Sequence, residues 1–407
     1  MTIINNPFKP GAGHMPPYLA GREEESAEFK KLLTQTTILE NMVLTGLRGV
    51  GKTVLLETFK PLAQSIGWFW VGTDLSESAS LNEANIAIRL LTDLSVITSS
   101  YKIGSSEIKS IGFLAETEVV DHYLNYALLN NIYDNTPGLP SDKLKAVLEI
   151  VWKCMENNPP KGLILAYDEA QNLADHVEKD QFPLSLLLDV FQSIQRKGIP
   201  FFLLFTGLPT LVPKLVEART YAERMFRVVF LDRLKPDEVK EAILKPIEEN
   251  SCGVVFSEES VETVIKVSGG YPYFIQFICR EVYDVFIQKI NANQNSSVPV
   301  NEIIAKLDTD FFSGRWARVT DRQRDLLAVI ARLETCDSEF SVQEVVKLSK
   351  SICKKSFSSS HVNQMLSSLS DTGLVYKNRH GKYSFAVPLL DAFIRRQPID
   401  GLLDITI

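Results

Sequence analysis

The stretch MVLTGLRGVGKTVLL, residues 42–56, decides the fold of this 407-residue chain. It opens with a short apolar run, which is typical of a buried strand, and then passes through a glycine-rich turn. The turn leads into a helical pattern that places Leu55, Leu56, Phe59 and Leu62 on one face. Strand, glycine turn and helix in this order are the structural context of a phosphate-binding loop.

Residues 46–53 match the pattern G-x-x-x-x-G-K-[ST] at every position. Glycines let the backbone turn its N–H groups around a phosphate, and the following helix directs its positive N-terminus at the same oxygens. Lys52 is expected to contact the β- and γ-phosphates, and the Thr53 hydroxyl to ligate Mg²⁺. An accidental glycine turn is the alternative. The predicted nucleotide-binding residues are Gly46, Leu47, Arg48, Gly49, Val50, Gly51, Lys52, Thr53 and Val54.

A second apolar run, Gly162 to Tyr167, ends in the two acids Asp168 and Glu169, which is the form of a Walker B element. Asp168 is expected to bind the metal, and Glu169 to activate the attacking water as a general base. The alternative is a strand that ends in two solvated acids. The adjacent glutamate and the absence of an N-K-x-D motif favour ATP over GTP as substrate.

Apolar runs alternate with helical patterns through the first half of the chain. Runs near residues 42–45, 68–71, 163–167 and 201–205 are continuously apolar, which predicts a parallel sheet covered on both faces. The stretch from Ser95 to Ser141 is less regular, and we interpret it as an insertion with a strand or hairpin around Ile108 to Leu114. Helical patterns alone follow from Pro236 to about Asp310.

With these motifs the chain resembles the AAA+ ATPases, in the origin-recognition-like and archaeal-ATPase-like group that grades into the STAND signalling ATPases. Leu19 to Glu23 resembles the G-R-E entry motif of that group, which implies that Arg22 lies beside the adenine and ribose. Gly269-Gly270-Tyr271-Pro272 resembles the signature of the lid domain, which implies that Pro272 contacts the base. The resemblance therefore implies an α/β AAA+ core with a parallel sheet, a helical lid domain and a C-terminal winged helix.

The same resemblance implies roles for two further residues. Thr206 follows the apolar run Phe201 to Phe205 and takes the sensor 1 position, where a polar side chain responds to the γ-phosphate. Arg224 lies in a segment that resembles the one carrying an arginine finger, with Arg219 and Arg227 as rivals. A finger requires a homo-oligomer. Tyr271-Pro272-Tyr273 stands where an origin-recognition-type protein usually has a sensor 2 arginine, and this departure implies slow turnover.

The expected domain limits are residues 1–35 for a lead-in with the G-R-E segment, 36–232 for the ATPase core, 233–313 for the lid and 314–407 for the winged helix. In the last domain we expect one helix from Thr320 to Leu333, another from Phe340 through Val346, and a third with a buried apolar stripe. The stripe consists of Val362, Met365, Leu366 and Leu369. Residues 374–376 and 382–385 are expected to form a β-wing around a basic turn.

Charge makes the winged helix a candidate DNA reader. Between Gly314 and Arg396 there are 14 Lys/Arg and 8 Asp/Glu, whereas the chain as a whole carries a net charge of −7. The third helix presents small polar residues, and five cations could contact phosphates, namely Lys354, Lys355, Lys377, Arg379 and Lys382. The alternative is that this face docks a protein or acts as an intramolecular gate.

Three uses of the predicted ATPase stay open at this point. The first is an ATPase that loads or remodels something on double-stranded DNA. The second is a STAND-like switch that oligomerises on an unidentified protein partner, and the third is an ATP-binding scaffold with negligible turnover. Five scattered cysteines, no secretory pattern in residues 1–17 and no apolar run of about 20 residues predict a cytoplasmic protein without membrane contact.

Overall fold

The computed structural model describes residues 6–11, 13–35, 37–109, 117–156, 159–250, 254–291, 298–379 and 381–403. It divides into two compact units. The first, which we call the terminal unit, consists of Met1–Arg22, Gly46–Val54 and Leu231–Ile407. The second, which we call the sheet unit, consists of Glu23–Thr45 and Leu55–Phe230.

A five-stranded sheet with the strand order β2-β5-β6-β1-β7 forms the centre of the α/β fold. The first seven strands in chain order are β1 (Asn41–Gly46), β2 (Trp68–Val71), β3 (Lys102–Lys109), β4 (Thr117–Tyr123), β5 (Gly162–Tyr167), β6 (Phe201–Gly207) and β7 (Phe226–Leu231). The pairs β2–β5, β5–β6 and β6–β1 are parallel. Every residue of β1, β5 and β6 is buried, which confirms the prediction made from their apolar runs.

Helices alternate with the strands as the sequence pattern predicted, although those at residues 126–135, 211–218 and 222–225 were not expected. They are α1 (Glu23–Leu33), α2 (Lys52–Ser65), α3 (Glu83–Thr98), α4 (Tyr126–Asn135), α5 (Pro140–Met155), α6 (Pro183–Arg196), α7 (Leu211–Ala218) and α8 (Ala222–Met225). Proline at the first position starts both α5 and α6, since its fixed φ suits that position and its missing N–H costs nothing there. Phe29 of α1 stacks on Phe59 of α2 at 4.1 Å between ring centroids.

The insertion between residues 95 and 141 is more ordered than its sequence predicts. β3 and β4 form an antiparallel pair, so the hairpin expected near Ile108 is present, although residues 110–116 lie outside the described residues. α4 was not predicted. Only Leu129 of its 10 residues is fully buried, while Leu128, Ile132 and Tyr133 pack against the core partly buried. The Asn125 side chain caps this helix by accepting a hydrogen bond from the Leu128 N–H at 3.0 Å.

The helices expected between Pro236 and Asp310 lie in the terminal unit. They are α9 (Pro236–Glu249), α10 (Glu258–Ser268), α11 (Pro272–Asn291) and α12 (Val300–Leu307), followed by a π-helical turn and α13 (Ser313–Trp316). The lead-in belongs to the same unit. Its Phe8 is buried against Phe256, with ring centroids 6.3 Å apart, and also contacts Tyr283.

The C-terminal part has the winged-helix order of helix, strand, two helices and a β-ribbon. The elements are α14 (Asp321–Ile330), β8 (Phe340–Ser341), α15 (Val342–Ile352), α16 (Ser359–Asp371), β9 (Val375–Arg379), β10 (Lys382–Phe385) and α17 (Leu390–Arg395). The predicted stripe of α16 is buried at all four positions. β8 pairs with β10, and β10 pairs with β9, so the wing is a three-stranded sheet.

The helix predicted from Phe340 begins later than expected. Phe340 lies opposite Tyr383 in the wing sheet, and Ser341 is the N-cap of α15. The Glu344 carboxylate accepts a hydrogen bond from the Ser341 N–H at 2.6 Å, while the Glu344 N–H donates to the Ser341 hydroxyl. This capping box fixes the helix start at Val342.

The lid helices and the winged helix share one hydrophobic core within the terminal unit. Phe312 of the π-helical turn stacks on Phe393 of α17 at 4.9 Å, and Trp316 of α13 meets the same ring edge-on at 5.7 Å. Aromatic pairs of this kind add to the stabilisation from buried area. The separate limits expected for the lid and the winged helix stay predictions.

Candidate functional site

The loop between β1 and α2 has the backbone of a phosphate cradle. Gly49 and Gly51 have φ values of +80° and +93°, a conformation that glycine adopts without strain. Apart from Gly51 and its two chain neighbours, no described residue places a heavy atom within 4 Å of the position that a Cβ on Gly51 would take. One side of the loop is therefore open space where a ligand can approach the backbone N–H groups.

Lys52 is held at the mouth of this loop. Its Nζ donates hydrogen bonds to the carbonyl oxygens of Gly46 at 3.0 Å and Leu47 at 2.9 Å. Lys52 is only 9% exposed, so its ammonium group is held at the loop and has little contact with solvent. Lys52 is also the first residue of α2, which brings the positive end of the helix dipole to the loop.

Arg22 and the first turn of α11 hold the loop backbone from outside. The buried Arg22 guanidinium donates to the Val50 carbonyl oxygen at 3.0 Å and to the Asp232 carbonyl oxygen at 2.8 Å. The Tyr273 N–H donates to the Gly49 carbonyl oxygen at 3.1 Å. Pro272, the first residue of α11, immediately precedes Tyr273. Tyr273 and the loop contacts of Arg22 were not foreseen, since they join residues far apart in the chain.

Two arginines, Arg48 and Arg315, lie close together at the same loop. Arg315 is half-buried over the Phe311 ring at 4.5 Å, and its pKa is lowered by burial and then by the nearby Arg48. Arg48 is exposed and forms no ion pair with a described residue. Two neighbouring positive charges at this loop favour an anionic ligand nearby.

In the sheet unit, the structure brings Asp168 and Thr206 together at the carboxyl ends of β5 and β6. Asp168 is 3% exposed, and its Oδ1 accepts hydrogen bonds from the Thr206 hydroxyl and from the Glu169 N–H, the latter at 2.8 Å. The contact follows from the parallel register, which pairs Tyr167 with Phe205 one residue earlier. The Thr206 side chain thus has a defined partner in a buried position.

Glu169 follows in the left-handed conformation, with φ 52° and ψ 33°, and its side chain is exposed. The Gln171 amide donates a hydrogen bond to the Glu169 carboxylate. Sequence reasoning missed Gln171, whose only signal is an amide two residues after the acid pair. It also missed Asp74, whose pKa is raised by burial and then by the charges of Asp168 and Glu169.

The three candidate finger arginines differ in what they contact. Arg219 donates to the Asp189 carboxylate through Nε at 2.8 Å and Nη2 at 2.6 Å, and Arg227 pairs with Glu28 at 2.8 Å. Arg224 is exposed, and no ion pair joins it to any residue within the described ranges. Of the three, Arg224 alone has its guanidinium available to a second chain.

The winged-helix surface holds fewer available cations than its sequence predicts. Arg379 pairs with Glu339 at 2.8 Å, and Lys382 pairs with Glu344 at 3.5 Å. Lys354, Lys355 and Lys377 are exposed, and the described part of the chain offers them no ion-pair partner. On α16 the exposed residues are small or polar except for one acid, namely Ser360, His361, Asn363, Gln364, Ser367, Ser368 and Asp371.

A further group of potential metal ligands lies where α17 meets the segment after α14. Cys336, Asp337 and Asp391 place one ligand atom each within 4.8 Å of one another. The Arg395 guanidinium contacts the Cys336 sulfur at 3.1 Å and pairs with Asp391 at 3.6 Å. The positive charge of Arg395 therefore already compensates the negative charge of this cluster, which disfavours a metal ion there.

Comparison with protein-family models gives one match. Residues 309–394 match the model of a family described as a domain of unknown function, DUF8462. No curated protein sequence matches the chain. None of the helices in the described ranges is both long and apolar enough to cross a membrane.

Solved structures extend the comparison to nearly the whole chain. The Walker-type ATPase PABY2304 of Pyrococcus abyssi is similar with a TM-score of 0.52 and 16% identity, over 93% of this chain and 96% of that one. The ADP form of the Aeropyrum pernix ORC2 protein gives 0.53 and 13%, over 96% and 98%. Its ADPNP–ADP complexes give 0.51 and 11%, over 95% and 97%. The chain thus has the fold of the AAA+ P-loop ATPases of the origin-recognition type, with a C-terminal winged helix.

Proposed function

We propose that this chain binds ATP at the loop of residues 46–53 and hydrolyses it slowly. The observation that carries the proposal is the loop itself, because it has open space beside Gly51 while the Lys52 Nζ is held by the Gly46 and Leu47 carbonyl oxygens. Asp168, which is buried in the sheet unit and accepts a hydrogen bond from the Thr206 hydroxyl, also supports the proposal, because its sequence context is that of a Walker B metal ligand. The donor set of hydroxyl and carboxylate oxygens suits Mg²⁺.

Each residue has a role in this proposal. Thr53 and Asp168 hold Mg²⁺, which when bound neutralises phosphate charge. Lys52 and the N–H groups of the loop bind the phosphates, and Glu169 accepts the proton of the attacking water. Thr206 fixes Asp168 and responds to the terminal phosphate. On the nucleoside side, Pro272 contacts the base, and Arg22 lies beside the adenine and ribose while it also supports the loop through the Val50 carbonyl oxygen.

The role best supported is a nucleotide-controlled switch. The loop carbonyls of Gly49 and Val50 are bonded by Tyr273 and Arg22, so a nucleotide that reshapes the loop acts directly on α11 and the lead-in. Gly373, at the end of α16, lies beside Arg48, since a Cβ there would be 3.3 Å from the Arg48 Nη2. Loop, lid and winged helix are thus linked by contacts within the terminal unit. A nucleotide-dependent change of conformation in this unit would then control assembly of a homo-oligomer or binding of a protein partner.

Nucleotide binding is tested with Lys52→Ala. Calorimetric titration with ADP and a non-hydrolysable ATP analogue, each with Mg²⁺, should show affinity falling by about a hundredfold, since charge-assisted contacts to phosphate are lost. Lys347→Ala, at an exposed position of α15, is the matched control and should bind as the wild type does. Equal affinity of wild type and Lys52→Ala would refute the site.

A second candidate role, contact with double-stranded DNA, has its own observation. The exposed face of α16 is polar, and Lys354, Lys355 and Lys377 are available for phosphates. Changing all three lysines to glutamine should reduce the slope of log affinity against log salt by about 3. An unchanged slope would leave protein docking as the use of this face.

A further inference from the structure

Gln171 joins the Glu169 carboxylate to the end of the neighbouring strand. Its side-chain Nε2 donates a hydrogen bond to Glu169, and its Oε1 accepts one from the Leu208 N–H at 2.9 Å. Leu208 follows β6 directly, two residues after Thr206. Both ends of one amide are therefore used, one on the proposed base and one on the strand that carries the proposed sensor.

The surroundings fix Gln171 in this position. Lys214 of α7 donates to the Gln171 carbonyl oxygen at 2.6 Å, and burial lowers the pKa of this lysine. The Asn172 side chain, next in the chain, donates to the Leu75 carbonyl oxygen at 2.7 Å. Gly207 leaves the room that the amide needs, because a Cβ at that position would lie 2.7 Å from the Gln171 Oε1.

We propose that Gln171 is a positioning residue for hydrolysis, and this proposal rests on the proposed function of Glu169. An exposed glutamate otherwise distributes over several rotamers, and catalysis is sensitive to displacements of about 1 Å. The Gln171 amide holds the carboxylate near the carboxyl ends of β5 and β6. Because an amide does not ionise, it fixes the base without competing for its proton.

Gln171 supports the hydrolysis of the terminal phosphate of ATP. A water oxygen forms a bond to the terminal phosphorus of ATP while the bond from that phosphorus to the bridging oxygen of ADP breaks. Glu169 accepts the proton that the water loses, and the products are ADP and inorganic phosphate. Gln171 takes no part in the bond changes.

The test compares steady-state ATP hydrolysis by the wild type with Gln171→Ala and Gln171→Glu. Gln171→Ala should lower kcat by about tenfold, or more, with KM and analogue affinity within about twofold of wild type. Gln171→Glu should lower kcat further, because it removes the donor and repels Glu169. Gly207→Ala, which crowds the amide, should reproduce the loss of kcat, whereas Gln64→Ala, at an exposed position of α2, should not.

An unchanged or raised kcat in Gln171→Ala, measured on protein that melts as the wild type does, overturns the inference. That failure is distinct from failure of the proposed function. If the wild type turns over and Glu169→Gln does not, while Gln171→Ala is normal, only the role of Gln171 is refuted. If no turnover depends on Glu169, the proposed function itself is refuted.

Discussion

The buried carboxylate of Asp168 is stabilised by hydrogen bonds from neighbouring residues. An isolated carboxylate at 3% exposure would be costly to bury, but the Thr206 hydroxyl and the Glu169 N–H both donate to its Oδ1. The parallel register of β5 and β6 sets the position of Thr206, whereas the Glu169 N–H belongs to the next residue in the chain. The buried acid is therefore stabilised by backbone geometry that any change to the strand ends would disturb.

Asp391 gives a stability prediction with a defined pH dependence. Burial raises the pKa of its carboxyl, and the negative charge of Asp337 raises it further. A backbone hydrogen bond and the nearby Arg395 lower the same pKa, but by less. A raised pKa in the folded state means that folding is favoured when this carboxyl is protonated and is penalised as the pH rises through the folded value. Asp391→Asn stays neutral and should escape that penalty.

Relative to wild type, Asp391→Asn should therefore gain stability as the pH is raised from about pH 4 to about pH 7, because only the wild type must ionise this buried carboxyl. Chemical denaturation at both pH values measures the difference. Asp371→Asn, at an exposed position with no ion pair to a described residue, should show no such trend. A gain that is absent or equal at both pH values would contradict the assignment.

At the scale of elements, the sequence is most informative where a whole segment is buried. β1, β5 and β6 are buried along their entire length, so their apolar runs predict them directly. The stripe of α16 and the glycine pattern before α2 are equally clear, because each rests on periodicity or spacing within one segment. Lys52, Asp168 and Glu169 follow from these local patterns.

Features that depend on contacts between distant segments could not be predicted in this way. Arg22 on the Val50 carbonyl, Tyr273 on the Gly49 carbonyl and Gln171 on the Leu208 N–H leave no pattern in the sequence. α17 was also missed, since it is six residues long and begins after Leu389, which has a left-handed φ of 59°. Short elements of this kind are fixed by tertiary packing, not by local propensity.

The two faces of α16 should respond differently to substitution. Leu366 is fully buried, so Leu366→Ala should lower the free energy of unfolding by about 2–5 kcal/mol through lost burial and a residual cavity. Ser367→Ala, on the exposed side one residue further, should change it by less than about 0.5 kcal/mol. Denaturant unfolding followed by circular dichroism tests both, and similar losses would contradict the placement of the helix.

For the whole molecule, the terminal unit carries the phosphate loop together with the lid and the winged helix. Arg22 of the lead-in and Tyr273 of α11 bind carbonyl oxygens of the loop, and the lid and the winged helix share a core through Phe312 and Phe393. A nucleotide at the loop is thus expected to influence the complete unit. In a switch, nucleotide binding at the loop changes the conformation of the winged helix. In a chain whose winged helix is an independent module, it does not.

Assembly is the property that Arg224 should control. If Arg224 completes the site of a neighbouring subunit, the hydrolysis rate per chain should rise with protein concentration, and Arg224→Ala should lower it by at least about tenfold without changing nucleotide affinity. Arg227→Ala, which breaks an ion pair with Glu28, serves as the control. Light scattering with Mg²⁺ and a non-hydrolysable analogue reports the mass. A rate independent of concentration and of Arg224 would refute a shared site.

The central claim is that Glu169 drives ATP hydrolysis at the P-loop, and the most direct test is a single-turnover measurement of phosphate release. Wild type and Glu169→Gln are each loaded with ATP and Mg²⁺, and bound nucleotide is quantified before release is followed. Equal loading is expected, with release at least about a hundredfold slower in Glu169→Gln. Equal release from both proteins, or intact ATP retained by the wild type, would contradict the claim and indicate an ATP-binding scaffold.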